Sequence, residues 1–358
     1  VILASDIQVY VKTTATCNLD CSHCFTSGSK GAKIFFNPDK TSAFLHSMVE
    51  DKNLNSVRLL YHGGEPMLAP LKDLYRFYEL TKDTLPNVEY GIQTNLVYTL
   101  NESKIEFFKK VIGKRGLGTS WDAGIRFGSM RLERREADEA LWEKNVRTLA
   151  AKGFEMTLMV SLSKDLVYHY EPKDIINYAI RLGFSFILFE RITSDGNAVM
   201  TDTLPANAKI DEWLYKMYVQ TIEQKLYEKI GNMFLEEIML AYRQNYHVAN
   251  RCRGCEQKLI TINADGTIAG CPNSATTQKW GNVEDIVDNF LYSEPRLNAI
   301  CNEKQRPMAC MTCEVNDICN GDCYKLKWDG DTCSAPKTLF KMLKKNNPIE
   351  DCDKLRIP

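Results

Sequence analysis

Three cysteines stand together as Cys17-Asn-Leu-Asp-Cys21-Ser-His-Cys24, none follows until Cys252, and ten of the thirteen lie from Cys252 onward. In a secreted chain that density reads as a disulfide framework. In a large cytosolic one it reads as metal or redox chemistry, because cellular reductants keep thiols free. Three thiolates this close bind together only if their loop wraps one object. A structural zinc ion wants four ligands; His23 and Asp20 are at hand, but each would have to fold back within a very tight loop. A four-iron cubane also takes four cysteines. With three, one iron is left open, and an open metal position is where chemistry happens.

Further segments with chemical character follow at intervals. Tyr61-His62-Gly63-Gly64-Glu65-Pro66 offers two glycines, which either end a strand or let backbone approach a ligand closely. Gln93-Thr94-Asn95 and Thr119-Ser120-Trp121-Asp122 each close an apolar run with polar groups. The three-then-two cysteine spacing resembles that of the radical S-adenosylmethionine superfamily, with His23 where an aromatic normally precedes the third cysteine. The resemblance implies that Cys17, Cys21 and Cys24 hold a [4Fe-4S] cluster. Its open iron would chelate S-adenosylmethionine, whose reductive cleavage makes a 5′-deoxyadenosyl radical. It further implies cofactor contacts from Gly64 and Glu65, whose backbone would receive the methionine ammonium, and from Asn95. Ser120 would meet the ribose or carboxylate. Arg134 is a candidate for the carboxylate, in competition with Arg131 and Arg135.

The second cysteine group has its own order. Cys255 is followed by ten residues, Gly266, four residues and Cys271; then come Cys310-x2-Cys313-x5-Cys319-x3-Cys323 and Cys333. Paired Cys-x2-Cys spacing alone admits zinc. The full set resembles the seven-cysteine SPASM pattern of radical enzymes that modify peptides and proteins, and Cys252 supplies an eighth thiolate. By that similarity Cys252, Cys255, Cys271 and Cys323 hold one auxiliary [4Fe-4S] cluster, and Cys310, Cys313, Cys319 and Cys333 hold another, making three clusters in all. Cys301 and Cys352 are left over, with Cys352 the rival to Cys333.

These residues need elements to position them. Short apolar strands are predicted at Ile7–Thr13, Ser56–Tyr61, Val88–Gln93, Gly118–Trp121, Glu155–Leu162 and Phe184–Glu190. Helices are predicted between them at Pro38–Lys52, Leu71–Lys82, Glu102–Val111, Glu136–Lys152 and Lys173–Leu182. Such alternation makes right-handed βαβ units and a parallel sheet, with ligands at the carboxyl ends of its strands. Six units are too few for a closed eight-fold barrel. The expected fold is therefore α/β: a partial (β/α)6 barrel over residues 1–205, a helical bridge over 206–250, and a small irregular α+β iron–sulfur domain over 251–358. Asp265-Gly266 predicts a hairpin joining Leu259–Ile262 to Thr267–Ala269. The basic stretch Lys337–Asn347 reads as a solvated helix face.

Composition narrows the function classes. With 45 Lys+Arg against 46 Asp+Glu, the chain lacks the basic excess of a dedicated nucleic-acid binder. No apolar run is long enough to span a membrane, and no signal peptide is legible, so a cytoplasmic location is expected. The resemblance implies a peptide substrate and an external electron donor such as flavodoxin or ferredoxin. Because only sixteen residues precede Cys17, leader recognition would fall to the barrel or to a separate protein. Fully ligated auxiliary clusters suit electron transfer, which favours net oxidation of a ribosomal precursor peptide: a C–C, C–O or thioether crosslink. Formylglycine formation as in sulfatase maturation, peptide epimerisation and small-molecule dehydrogenation are the alternatives. Against the first stands Pro272, where sulfatase-maturing enzymes resemble one another in an Asp. Asp122 and Glu190 are left as bases, or as ion-pair partners of Arg126 and Arg191. An iron–sulfur electron carrier is the non-enzymatic alternative, though a carrier has no use for a three-cysteine site beside a Gly-Gly-Glu loop.

Overall fold

The computed structural model describes residues 2–127, 132–244, 254–274 and 277–355. Its sheet holds ten strands: β1 Asp6–Thr14, β2 Ser56–Gly63, β3 Glu89–Gln93, β4 Leu117–Ser120, β5 Thr157–Ser161, β6 Phe186–Glu190, β7 Gly231–Asn232, β8 Leu259–Ile262, β9 Thr267–Ala269 and β10 Gly281–Asn282. The spatial order is β10-β9-β8-β1-β2-β3-β4-β5-β6-β7. Neighbours from β8 through β7 run parallel, whereas β8-β9-β10 is an antiparallel meander. Among the described residues the ladder ends at β7 and at β10 without closing, an open arrangement in line with the six-unit count.

The strand sequences explain why helices cover one face only. Val9, Val11, Leu59, Tyr61, Ile92, Leu158, Val160, Ile187 and Phe189 are all sealed from solvent. Every second residue on β1, β2, β5 and β6 points the other way, and most of these keep partial exposure. That second face is the lumen. Each aliphatic side chain fully buried on the outer face contributes about 1.5–3 kcal/mol. Five helices, Pro38–Lys52, Leu71–Thr81, Glu102–Phe107, Arg135–Ala151 and Pro172–Leu182, alternate with these strands. Asn37 and Asn101 cap two of them through their side-chain oxygens, and Pro172 and Gly183 bracket the last as start and stop.

Differences from the sequence reading have local causes. The third helix widens into a π turn over Phe108–Ile112, closed by Gly113 N–H donating to the Phe108 carbonyl, and Gly113 takes the positive φ that follows. The short helix Lys164–His169, capped by Ser163, is too brief to show a period. Residues 206–244 supply helix Asn207–Glu223, strand β7 and helix Met233–Gln244, so this stretch continues the barrel wall beyond β6. The hairpin β8–β9 turns at Gly266, with φ at +82°, and β8 pairs with β1. The sheet is therefore continuous between the two cysteine-bearing parts. Helix Lys337–Asn346 buries Leu339, Phe340 and Leu343, while Lys341 and Lys344 pair outward with Glu314 and Asp317. No helix among the described residues is long and apolar enough to cross a membrane.

Candidate functional site

The Cys17–Cys24 loop leaves the carboxyl end of β1 and is stitched to the ends of β2, β3 and β6. Gly64 N–H donates to the Thr14 carbonyl and Glu65 N–H to the Thr16 carbonyl, each at 2.9 Å. The approach is so close that a Cβ on Gly64 would sit 1.9 Å from the Thr16 oxygen, and one on Gly28 would sit 2.9 Å from Cys17 Cβ. The glycines therefore serve the seating of the cysteine loop. Glu65 is fully buried and accepts from Met67 N–H at 2.9 Å, Thr94 Oγ1 at 2.7 Å and Asn95 N–H at 2.6 Å. Burial pushes its carboxyl up to about 7, against the pull of those donors. Its side chain ties β2 to β3. Asn95 carries the link onward, donating to Asn18 Oδ1 at 2.8 Å and approaching Cys17 Sγ at 3.6 Å.

A segment after β6 clamps the loop from the other side. Asn197 N–H donates to the Cys24 carbonyl and its amide to the Cys21 carbonyl, while the Thr201 hydroxyl donates to the Ser22 carbonyl, each at 2.9 Å. Gly196, at φ +56°, passes so near that a Cβ would meet the Cys24 oxygen at 2.3 Å. Sequence reasoning missed this clamp, because Thr193-Ser-Asp-Gly-Asn-Ala-Val looks like any polar turn.

All three thiols are free. Leu19 N–H points at Cys17 Sγ (3.4 Å) and Gly28 N–H at Cys24 Sγ (3.5 Å), the contacts that stabilise thiolate sulfur. Burial pushes the Cys17 thiol up to about 12 and raises Cys21 as well. Thiols that resist ionisation alone become thiolates against a metal cation. Among the described residues no three His, Cys, Asp or Glu converge tightly enough for a single metal ion. A cubane is a larger body that holds its thiolates further apart. The alternative fourth ligands are engaged elsewhere: His23 Nε2 lies 3.3 Å from Asp122 Oδ2, and Asp20 accepts from the Ser29 hydroxyl. The donor set fits a three-thiolate cluster.

Ser120 ends β4, accepting from Gln93 Nε2 at 2.8 Å. Arg134 lies further out, half exposed and paired with Asp138 at 3.2 Å on its own helix. Arg131 lies outside the described residues. Asp122 is enclosed, accepting from Arg126 Nε at 2.6 Å and from Ser161 N–H at 2.6 Å. Although burial opposes ionisation, Arg126 and His23 hold this carboxyl well below the usual carboxylate range. Arg126 is thus a buried cation beside Cys17 and Cys21, a neighbour that its place in the sequence did not reveal. Glu190 stands at the end of β6 on the lumen face. Arg191 forms a buried ion pair with Asp322, also donating to the Ser334 carbonyl at 2.8 Å.

In the C-terminal part, Cys310, Cys313, Cys319 and Cys333 line one cavity. Cys255, Cys271 and Cys323 are close enough to influence one another's ionisation; Cys252 lies outside the described residues. Two buried carboxylates hold the backbone here. Glu303 accepts from Cys255 N–H at 2.7 Å, and Glu256 accepts from Cys271 N–H at 3.4 Å, from Lys325 at 3.3 Å and from the Tyr324 hydroxyl. Cys352 is packed in the hydrophobic core and Cys301 is exposed.

No family model matches the chain. In sequence it is similar to a serine-type anaerobic sulfatase-maturating enzyme of Bacteroides thetaiotaomicron, 22% identical over an alignment of 362 residues that covers 93% of this chain and 86% of the relative. An uncharacterized protein of Methanocaldococcus jannaschii is 22% identical over 286 residues, 78% of this chain and 89% of that one. In fold the chain is similar to native anSMEcpe with bound AdoMet (TM-score 0.77, 16% identity, 97% of this chain and 99% of that one). It is also similar to Streptococcus suis SuiB bound to precursor peptide SuiA (TM-score 0.63, 15% identity, 92% and 76%). The chain thus has the fold of these solved structures, and its strand-end segments and cysteine spacing resemble those of the radical S-adenosylmethionine enzymes with a C-terminal SPASM domain.

Proposed function

We propose that this protein is a maturase that cleaves S-adenosylmethionine and oxidatively modifies a peptide held in the barrel lumen. The observation that carries the reading is the convergence of four strand ends on three free thiols, Cys21 buried and Cys17 and Cys24 partly so, beside an open lumen face. When bound, the cluster and S-adenosylmethionine supply a 5′-deoxyadenosyl radical able to take hydrogen from an unactivated C–H bond. Cys17, Cys21 and Cys24 would hold that cluster, with the backbone at Gly64 and Glu65, Asn95, Ser120 and Arg134 as cofactor contacts. Glu65 and Asn95 act by placing the loop. Cys252, Cys255, Cys271 and Cys323, and then Cys310, Cys313, Cys319 and Cys333, would hold two auxiliary clusters, for three in total. The part that carries the described members of these sets joins the barrel sheet where β8 pairs with β1. Protein residues keep the substrate oriented and solvent out.

The modified peptide should lose two hydrogens: one atom to the deoxyadenosyl radical, then one proton and one electron. A crosslink in a ribosomal precursor peptide is our first reading. Formylglycine formation is the second, favoured by the 22% identity to a sulfatase-maturating enzyme along 93% of the chain. Pro272 follows Cys271 and carries no proton-accepting group, Asp122 is locked to Arg126, and Glu190 is a carboxylate on the lumen face. The test is anaerobic reconstitution with S-adenosylmethionine and dithionite. 5′-Deoxyadenosine should form, and the Cys17→Ala, Cys21→Ala, Cys24→Ala triple variant should form none; formation by that variant would overturn the reading. Mass spectrometry of a precursor peptide, with hydrazide capture of aldehydes, then separates crosslink from formylglycine.

A further inference from the structure

On β1 the residues Gln8, Tyr10 and Lys12 alternate with Val9 and Val11, so they share the lumen face. Lys12 is only 4% exposed, and its Nζ has no hydrogen-bond partner. Its register partner across the sheet is His62 on β2, whose Nδ1 is also buried and unpartnered. The walls are aromatic: Phe25 lies 5.8 Å from the Lys12 Nζ and 6.0 Å from the His62 ring, and Tyr10 packs edge-on to His62 at 5.6 Å. Burial opposes the charge on Lys12 and lowers its pKa to about 8, and Asp265 attracts the ammonium from a distance without bonding it. Burial and Lys12 together keep the His62 ring neutral, holding it at about 3.

A buried ammonium with three empty donor positions is costly. Leaving it bare at the carboxyl end of a barrel strand makes sense if its acceptor arrives with a ligand. The pair spans the two strands whose ends carry the cysteine loop and the Gly-Gly-Glu turn, so such a ligand would lie beside the reacting centre. The geometry points to a carboxylate subsite: Lys12, with His62 beside it, receives a carboxylate of the peptide substrate, from an Asp or Glu side chain or from the chain terminus. This deepens the maturase reading and rests on it for the identity of the ligand as a peptide. Lys12 acts here as a positioning residue, fixing which C–H bond is presented.

The experiment is equilibrium binding to the reconstituted enzyme with S-adenosylmethionine present and no reductant, so that nothing turns over. The probes are acetyl-Gly-X-Gly-amide peptides with X as Glu, Asp, Gln or Leu, and acetyl-Gly-Leu-Gly with a free carboxyl terminus. One charge-assisted hydrogen bond predicts that a carboxylate peptide binds roughly ten- to a hundredfold tighter than its neutral analogue. Lys12→Met should erase that preference, and Lys12→Arg should keep part of it, with S-adenosylmethionine affinity and iron content unchanged in both. A preference confined to the free-terminus probe supports the subsite and names the chain end as its ligand. Equal binding of Glu and Gln probes to the wild type overturns it. So does a Lys12→Met variant that keeps the preference, or one that loses only S-adenosylmethionine binding or shifts only the cluster potential. Failure of the wild type to make 5′-deoxyadenosine under dithionite would sink the maturase reading by a separate measurement.

Discussion

Cysteines gathered at the end of β1 and cysteines gathered after β8 are held by different means. The first loop is seated on strand ends: backbone bonds from Gly64 and Glu65, the Asn95 side chain, and the clamp of Asn197 and Thr201 fix it from three directions. The later thiols ride on very short elements, such as Met308–Met311 and Asn316–Cys319, joined by turns. Long-range support comes there from a few buried charges: Glu256, Glu303 and the Arg191–Asp322 pair. A sheet can preorganise a ligand loop before any metal binds. A region of one-turn helices has too little buried area to do so and takes much of its stability from its ligands.

The largest test of that contrast is metal removal. In the iron-free protein, amide exchange across residues 308–333 should accelerate by orders of magnitude, while β1, β2 and β6 stay protected. Reconstitution should restore protection. Uniform loss across both regions would show that the first loop is as metal-dependent as the second.

Next comes the ion pair that pins the C-terminal region to the end of β6. Asp322→Ala leaves the Arg191 guanidinium buried without its counter-charge, a change that costs about 3–5 kcal/mol. Thermal unfolding should show a marked loss, together with loss of iron from the cavity lined by Cys319 and Cys333. The paired replacement Arg191→Met, Asp322→Leu should be milder, because it removes both charges together.

Such side chains show why one half of the architecture was legible in sequence and the other was not. Alternating strands such as Asp6–Thr14 and capped helices such as Pro38–Lys52 carry their period and their stop signals locally, so their bounds were within a residue or two of the structure. The cysteines were legible as groups because spacing survives without structure. Partners distant in sequence left no local trace. Nothing local in the sequence marks Glu256, Glu303 or Lys12: the first two find their partners at Cys271 and Cys255, Lys12 meets His62 only through the β1–β2 register, and Arg191 pairs with Asp322, 131 residues away. Arg134, a candidate contact for the methionine carboxylate, pairs with Asp138 of the following helix.

Within the seated loop, Glu65 predicts a pH signature. Its folded-state carboxyl lies at about 7, above an unfolded value of 4.5, so the folded protein binds the extra proton. Stability from this group is complete below pH 4.5, falls as pH rises, and levels off above 7. Its amplitude is at most about 3 kcal/mol. The wild type should lose stability between pH 5 and 7 relative to Glu65→Gln, which cannot titrate. Parallel pH profiles for the two proteins would show that the carboxylate stays ionised throughout, held by its three donors.

The smallest effect belongs to Asn95. Its amide reaches both Asn18 Oδ1 and Cys17 Sγ, and its carbonyl oxygen accepts from Val97 N–H at 2.8 Å, so it joins β3 to the loop without being essential to either. Asn95→Ala should cost about 1 kcal/mol, the net worth of an ordinary hydrogen bond. Because Gly64, Glu65 and the Asn197 clamp remain, iron content should stay near wild type. A different observable should move: removing an N–H that points at a ligand sulfur makes the bound cluster harder to reduce. The reduction potential of the first cluster should fall in Asn95→Ala while those of the other clusters stay fixed. An unchanged potential with reduced iron would mean that Asn95 only braces the loop, and seating by the strand ends would then depend on fewer contacts than the geometry displays.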